Sequence, residues 1–332
     1  MRIAVDAMGG DYAPREIVAG AIAYMRQAPP NVQLDLVGDN ERLEESLREL
    51  HAATLPLQVV HAPQVVEMHE SPAGALRRKR NSSIAVAIRL AHTGQVDAVV
   101  TAGNSGAAAA AAKLEWRLLP GVDRPAIAAL VPGPLGATVL IDAGATVNCK
   151  ALHLVQFAHM GACYARAVLN RAHPVVGLLS VGEEDAKGTQ VTRDAFRLLR
   201  ESHLHFYGNV EGQDVFSGKV DVIVCDGFVG NVALKVMEGM AGGIRLMIER
   251  NGAPQGWLKS VQRLMLQPII GGINRQFDLT RFGGAPLLGV SGVCICAHGN
   301  SRAAAVSSAI ERAREAVDQR LNERITEAVA VS

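Results

Sequence analysis

Short apolar runs alternate with amphipathic stretches along most of this chain, and that alternation predicts buried parallel strands connected by helices. Strands are expected at 2–6, 33–37, 57–61, 96–101, 126–131, 137–142, 174–180, 204–207, 220–225 and 287–296. Helices are expected at 14–27, 40–51, 82–92, 105–115, 151–169, 189–201, 230–250 and 300–328. Pro132-Gly-Pro134-Leu-Gly136 joins two β-type runs and reads as a hairpin turn. In the last helix Ala303, Ala304, Val306, Ile310, Ala313, Val317 and Leu321 recur at helical spacing, so it packs on something.

One segment, 253–281, breaks the alternation. Within it Trp257, Leu258, Val261, Leu264 and Met265 form one apolar stripe, while Lys259, Ser260, Gln262, Arg263 and Gln267 face the other way. The pattern predicts an amphipathic helix ending near Pro268. Its apolar side either packs in a core or dimer contact or lies on a membrane surface.

Five of the apolar runs end in glycine-rich turns that carry acids, amides or hydroxyls. They are Asp6-Ala-Met-Gly-Gly-Asp11, Ala102-Gly-Asn-Ser-Gly-Ala107, Asp142-Ala-Gly-Ala145, Val181-Gly-Glu-Glu-Asp-Ala-Lys-Gly188 and Cys225-Asp-Gly-Phe-Val-Gly-Asn231. Turns of this kind mark the carboxyl ends of parallel strands, where open α/β folds bind their ligands. One crowded rim is the expectation.

Composition narrows the classes. At 332 residues the chain has room for two lobes or one large α/β domain, and with 4% aromatics its core must be mostly aliphatic. A formal charge of +1 with interspersed signs offers no field for nucleic acid. The cysteines at 149, 163, 225, 294 and 296 show no C-x-x-C pair or metal spacing, as expected of reduced cytosolic thiols. The apolar run after Arg2 is too short for a secretory signal, and nothing reaches the roughly 18 apolar residues of a membrane span. The chain is expected to be soluble and cytosolic.

The turns then suggest chemistry. The fifth puts Asp226, Gly227, Gly230 and Asn231 at a helix N-terminus suited to an anion, unless Asp226 and Asn231 only cap it. Asn104, Ser105 and Gly106 repeat the arrangement, and Asp6, Gly9, Gly10 and Asp11 form the first turn of the rim. Lys187 stands among three acids; either it pairs with them or it faces the rim as the charge that neutralises an anion. His298 ends the last strand, as a turn residue or a ligand. No G-x-G-x-x-G, Walker, H-E-x-x-H or G-x-S-x-G motif occurs, and no metal or cofactor is expected. With no protein nucleophile in evidence, the bound anion is itself the candidate nucleophile: phosphate attacking an activated acyl carbon.

The same blocks, with Cys149-Lys150, Leu154-Val-Gln-Phe-Ala158, Gly208-Asn-Val-Glu-Gly212, Gly283-Gly-Ala-Pro-Leu-Leu-Gly289 and His298-Gly299, resemble the bacterial phosphate acyltransferases of phospholipid synthesis, in order from residue 1 to about 310. The family usually has threonine at position 105, Asn and Asp at 146 and 148, and Pro-Glu at 151–152, where this chain has Ser105, Thr146, Asn148 and Ala151-Leu152. The resemblance implies a two-lobed α/β/α sandwich of the isocitrate/isopropylmalate dehydrogenase and phosphotransacetylase type. The approximate lobes are 1–148 with 286–332, and 149–285. It also implies acyl transfer from acyl carrier protein to phosphate, a homodimer with the site between lobes, and work at the inner membrane face beside a membrane-bound glycerol-3-phosphate acyltransferase. Lys187 and Asn231 are the expected catalytic pair. Asp6, Gly9, Gly10, Asp11, Asn104, Ser105, Gly106, Asp142, Asp226, Gly227, Gly230 and His298 are expected to bind substrate, with Trp257, Leu258, Val261, Leu264 and Met265 meeting the membrane. The basic run Arg77-Arg-Lys-Arg80, with Arg245 and Arg250, is either a solvated face or a landing for the acidic carrier protein. Rival readings are a short-chain acyl-CoA phosphotransacylase, a decarboxylating dehydrogenase and a non-catalytic anion-binding module.

Overall fold

A computed structural model of the chain describes residues 1–52, 55–251 and 284–330. Its strands are β1 (Arg2–Asp6), β2 (Gln33–Gly38), β3 (Leu57–His61), β4 (Ala98–Thr101), β5 (Ala126–Gly133), β6 (Gly136–Ile141), β7 (Val175–Leu179), β8 (His205–Val210), β9 (Val222–Val224), β10 (Ala285–Leu288) and β11 (Val293–Cys296). Its helices are α1 (Arg15–Met25), α2 (Asn40–Glu49), α3 (Pro72–Arg78), α4 (Ser83–His92), α5 (Ser105–Glu115), α6 (Ala151–Val168), α7 (Gln190–Glu201), α8 (Gly227–Asn251), α9 (Ala303–Asp318) and α10 (Leu321–Ala330). Most expected elements are present to within a few residues. The amphipathic stretch at 253–281, with its proposed membrane residues, lies outside the described residues. Among the described residues no helix is long and apolar enough to cross a membrane.

Three expectations change. The run 287–296 is not one strand: the chain reverses at Gly289, whose φ of 84° suits glycine, and β10 pairs antiparallel with β11. The C-terminal helix is broken, because Arg320 adopts φ 50° and redirects α10 onto α6. The short helix α3 was not expected; a seven-residue segment opening Pro-Ala-Gly carries too little periodicity to announce itself.

All strands join one sheet in the order β3-β2-β1-β4-β11-β10-β5-β6-β9-β7-β8. β3, β2, β1, β4 and β11 run parallel. Then β10 is antiparallel to both β11 and β5, and the β5–β6 hairpin reverses direction again. β6, β9, β7 and β8 are parallel to one another but opposite to β1. The five glycine turns therefore do not share one rim. They sort into two cradles, at the carboxyl ends of two oppositely directed strand groups.

The two-residue side-chain period assigns the faces. Ile3 and Val5 pack with α1 and α9, through Ile17, Val18, Val306 and Ile310, while Ala4 turns to α4 and α5, through Ile88, Ala108 and Ala112. In the second group Val139, Ile141, Val222 and Val224 meet Phe157, Met160 and Tyr164 of α6 and Ile325 of α10. Packing therefore puts β6 and α10 with the second group, whereas the sequence boundary at 148 and 286–332 put both in the first. The hairpin hands β6 across, and the break at Arg320 hands α10 across.

Ile325 is fully buried in the cluster that docks α10 on α6. Ile325→Ala should cost about 2–5 kcal/mol in urea-induced unfolding. An unchanged midpoint would mean that α10 is not part of the cooperative core.

Candidate active site

The first cradle is built by β1, β4 and β11, whose ends are in register at Asp6, Thr101 and Cys296. Asp6 is buried, and its carboxylate accepts hydrogen bonds from the Thr101 hydroxyl at 2.7 Å and the Met8 N–H at 3.3 Å. Burial pushes the Asp6 carboxyl above its ordinary pKa, against the pull of these donors. Gly9 lies against the Gly103 backbone, and Gly10 lies against the Ala102 and Gly299 carbonyls. The Asp11 N–H donates to the Gly299 carbonyl at 2.8 Å. Asp6 thus ties the first two turns together from beneath.

Asn104 is occupied as well. Its carbonyl oxygen accepts from the Ala107 N–H at 3.0 Å, capping α5, and its amide donates to the Met68 and Glu70 carbonyls at 3.1 and 3.3 Å. What stays open at this end of α5 is the exposed Ser105, together with the N–H groups of Ser105 and Gly106, which donate to nothing among the described residues. Thr101, which the motif reading passed over, is signalled only by being the one hydroxyl ending an otherwise apolar strand.

The second cradle is built by β6, β9 and β7, with Ile141, Val224 and Leu178 in register. The third, fifth and fourth turns therefore sit side by side, in that order. Asp142 is fully buried, and its oxygens accept from the N–H groups of Ile127, Gly144, Ala145 and Thr146 at 2.8, 3.0, 2.9 and 2.6 Å. Burial raises its pKa against those donors. The carboxylate is thus spent on the chain's own backbone and shapes the turn from within.

The fifth turn rests on this one. A Cβ at Gly230 would lie 2.0 Å from the Asp142 carbonyl oxygen, and one at Gly227 would lie 2.6 Å from Oδ2 of Asp142. Only glycine permits that approach. The open N–H cradle expected at the start of α8 does not form, because each donor is already used. Gly227 donates to the Thr146 carbonyl and Gly230 to the Asp226 carbonyl. Phe228 and Val229 donate to Oδ1 of Asp226 at 2.9 and 3.0 Å. Asp226 is therefore a helix cap. Asn231 is not a cap: it is exposed, with its amide carbon 3.5 Å from the position a Cβ at Gly144 would take.

In the fourth turn two of the three acids find other partners, while Glu184 lies beside Gly182. Glu183 pairs with Lys219 at 3.0 Å and Asp185 with Arg200 at 2.8 Å. Lys187 is exposed, its stem beside Gly182, and it forms no ion pair among the described residues. The ammonium and the Asn231 amide thus stand on adjacent turns with no side-chain hydrogen bond or ion pair among the described residues.

α8 links the cradles. Its Leu234, with Ala145, packs against the cluster holding Ala107, Ala108 and Ala143. Further along, Oε1 of Glu238 lies 3.1 Å from Nε2 of His298 at the first cradle, within ion-pair distance though not aligned as a hydrogen bond. The thiols nearby are poor nucleophiles. Burial, then the Asp142 and Asp226 charges, push Cys149 up to about 12 and Cys225 well above the ordinary range.

The chain matches the fatty acid synthesis protein family over residues 1–324. It is 49% identical to a phosphate acyltransferase of Pelotomaculum thermopropionicum over 99% of this chain and 95% of that one. It is 48% identical to another from Thermosynechococcus vestitus, over 98% and 94%. Among solved structures, a phosphotransacetylase from Streptococcus pyogenes superposes with TM-score 0.61 at 14% identity, over 96% of this chain and 94% of that one. A branched-chain phosphotransacylase from Enterococcus faecalis gives 0.59 at 14% identity, over 96% and 99%. These structural likenesses show the shared fold, the two-lobed type expected from the sequence. By the full-length match and the identity to its relatives, the chain belongs to the fatty acid synthesis protein family of phosphate acyltransferases and is an acyltransferase.

Proposed function

We propose that this acyltransferase moves a fatty acyl group from acyl carrier protein to inorganic phosphate, reversibly forming acyl phosphate for phospholipid synthesis. One observation carries the reading at the site: a lysine and an amide without partners among the described residues stand on neighbouring turns, beside thiols too strongly disfavoured as thiolates to attack. A phosphate oxygen attacks the thioester carbonyl carbon. The new C–O bond forms as the C–S bond breaks, and the departing thiolate takes a proton from the phosphate. Lys187 and Asn231 divide two tasks, neutralising phosphate and donating to the carbonyl oxygen as it gains charge. Ser105 and Gly106 offer further donors in the first cradle, and Asp6, Asp142, Asp226, Gly227 and Gly230 set the shapes of the turns.

The assembly we propose is a homodimer formed through α8. Phe228, Val232, Val236, Met240 and Ile244 recur every fourth residue and are 62%, 46%, 55%, 61% and 48% exposed. Nothing among the described residues covers this stripe, and an apolar face of that length is unusual on a lone subunit. Work at the inner membrane face, handing acyl phosphate to a membrane-bound glycerol-3-phosphate acyltransferase, suits a product with a fatty chain.

Three measurements test these statements. Phosphate mixed with acyl carrier protein thioester and the enzyme should give acyl phosphate, trapped by hydroxylamine. Product from acyl-coenzyme A alone would select the short-chain rival instead. Lys187→Ala and Asn231→Ala should each lower kcat by about 10²–10³; near wild-type turnover in both would remove them from the chemistry. Val236→Glu with Met240→Glu should convert a dimer to a folded monomer by light scattering, and an unaltered dimer would place the interface elsewhere.

A further inference from the structure

Four consecutive cations, Arg77-Arg-Lys-Arg80, stand out in a chain whose net charge is only +1. The fold uses one of them internally. Lys79 is half-buried, and its Nζ donates to the Val65 carbonyl at 2.7 Å and to Glu70 at 2.5 Å, which holds the Glu70 carboxyl below its ordinary pKa. Arg78 reaches the same Glu70 at 3.6 Å while remaining largely exposed. Arg77 and Arg80 are exposed and have no carboxylate within ion-pair distance among the described residues. Arg89 of α4 donates to the Arg80 carbonyl at 2.8 Å and lies 4.0 Å from the Glu115 carboxylate.

The patch is anchored to the first cradle. Pro72, at the start of α3, sits where a Cβ on Gly106 would come within 2.9 Å of it. The carbonyls of Met68 and Glu70, just before α3, are held by the Asn104 amide. Arg77 is five residues along α3 from Pro72, about 8 Å at the helical rise. A partner resting on these arginines is thus within a short span of the open α5 N-terminus. Exposed cations beside a site, two of them without a carboxylate partner among the described residues, steer an anionic partner toward it.

We infer that Arg77, Arg78 and Arg80 form the docking edge for an acidic carrier protein, which delivers its thioester across Pro72 and Gly106 to the open end of α5 in the first cradle. This rests on the reading that the acyl donor is carrier-borne. The steady-state test uses Arg77→Glu with Arg80→Glu, comparing acyl carrier protein thioester with the same acyl group on N-acetylcysteamine, which lacks a protein body. The variant should lose about tenfold or more in kcat/KM for the carrier substrate, with a flattened salt dependence. Turnover of the small thioester should be unchanged, and Arg77→Lys with Arg80→Lys should restore most of the loss. Equal losses with both substrates would mean damage to the cradle and would overturn the docking edge, as would an unchanged carrier kcat/KM. Anionic vesicles that compete with the carrier in wild type but not in the variant would reassign the edge to lipid. If wild-type enzyme makes acyl phosphate from the small thioester but none from the carrier, the donor reading itself fails, and the edge with it.

Discussion

The second cradle depends on one buried carboxylate. Asp142 gathers N–H groups from Ile127 on the neighbouring strand and from three successive residues of its own turn. A carboxylate taken out of water is costly unless its oxygens are filled, and here the backbone fills them. The rigid turn that results is the floor on which Gly227, Gly230 and Asn231 are laid. Asp6 does the same in the first cradle with a hydroxyl and a main-chain donor. Both acids, expected from the sequence to bind substrate, spend their oxygens on hydrogen bonds within the chain and shape the turns.

The periodic part of the fold was legible because helix and strand periods are local properties of the chain. β1, β2, β3 and α5 fall where their patterns put them. What local patterns do not carry is direction. Nothing in the apolar runs says that the β5–β6 hairpin turns the later strands against the earlier ones, and so one expected rim became two. The splitting of 287–296 and the break at Arg320 are of the same kind, since each depends on a single residue's left-handed backbone.

At the site, the motifs mark the turns that line the two cradles, but residue type alone leaves open which side chains cap and which stay exposed. Asp226 and Asn104 are caps, which their residue types permit equally well. The isolation of Lys187 was not readable either. It arises because Lys219 and Arg200 take two of the three acids beside it, Glu183 and Asp185. Glu238 approaches His298 only because α8 spans the space between the cradles.

On α8, Asn231 and Val232 are consecutive residues: the first stands over the Gly144 turn and the second lies on the face that no described residue covers. A helix is stiff over so short a distance, so whatever presses on Val232 also sets the angle at which the Asn231 amide is presented. If a second subunit is what presses there, the amide is aimed only in the assembled pair. Dilution would then silence the enzyme with its substrates still present.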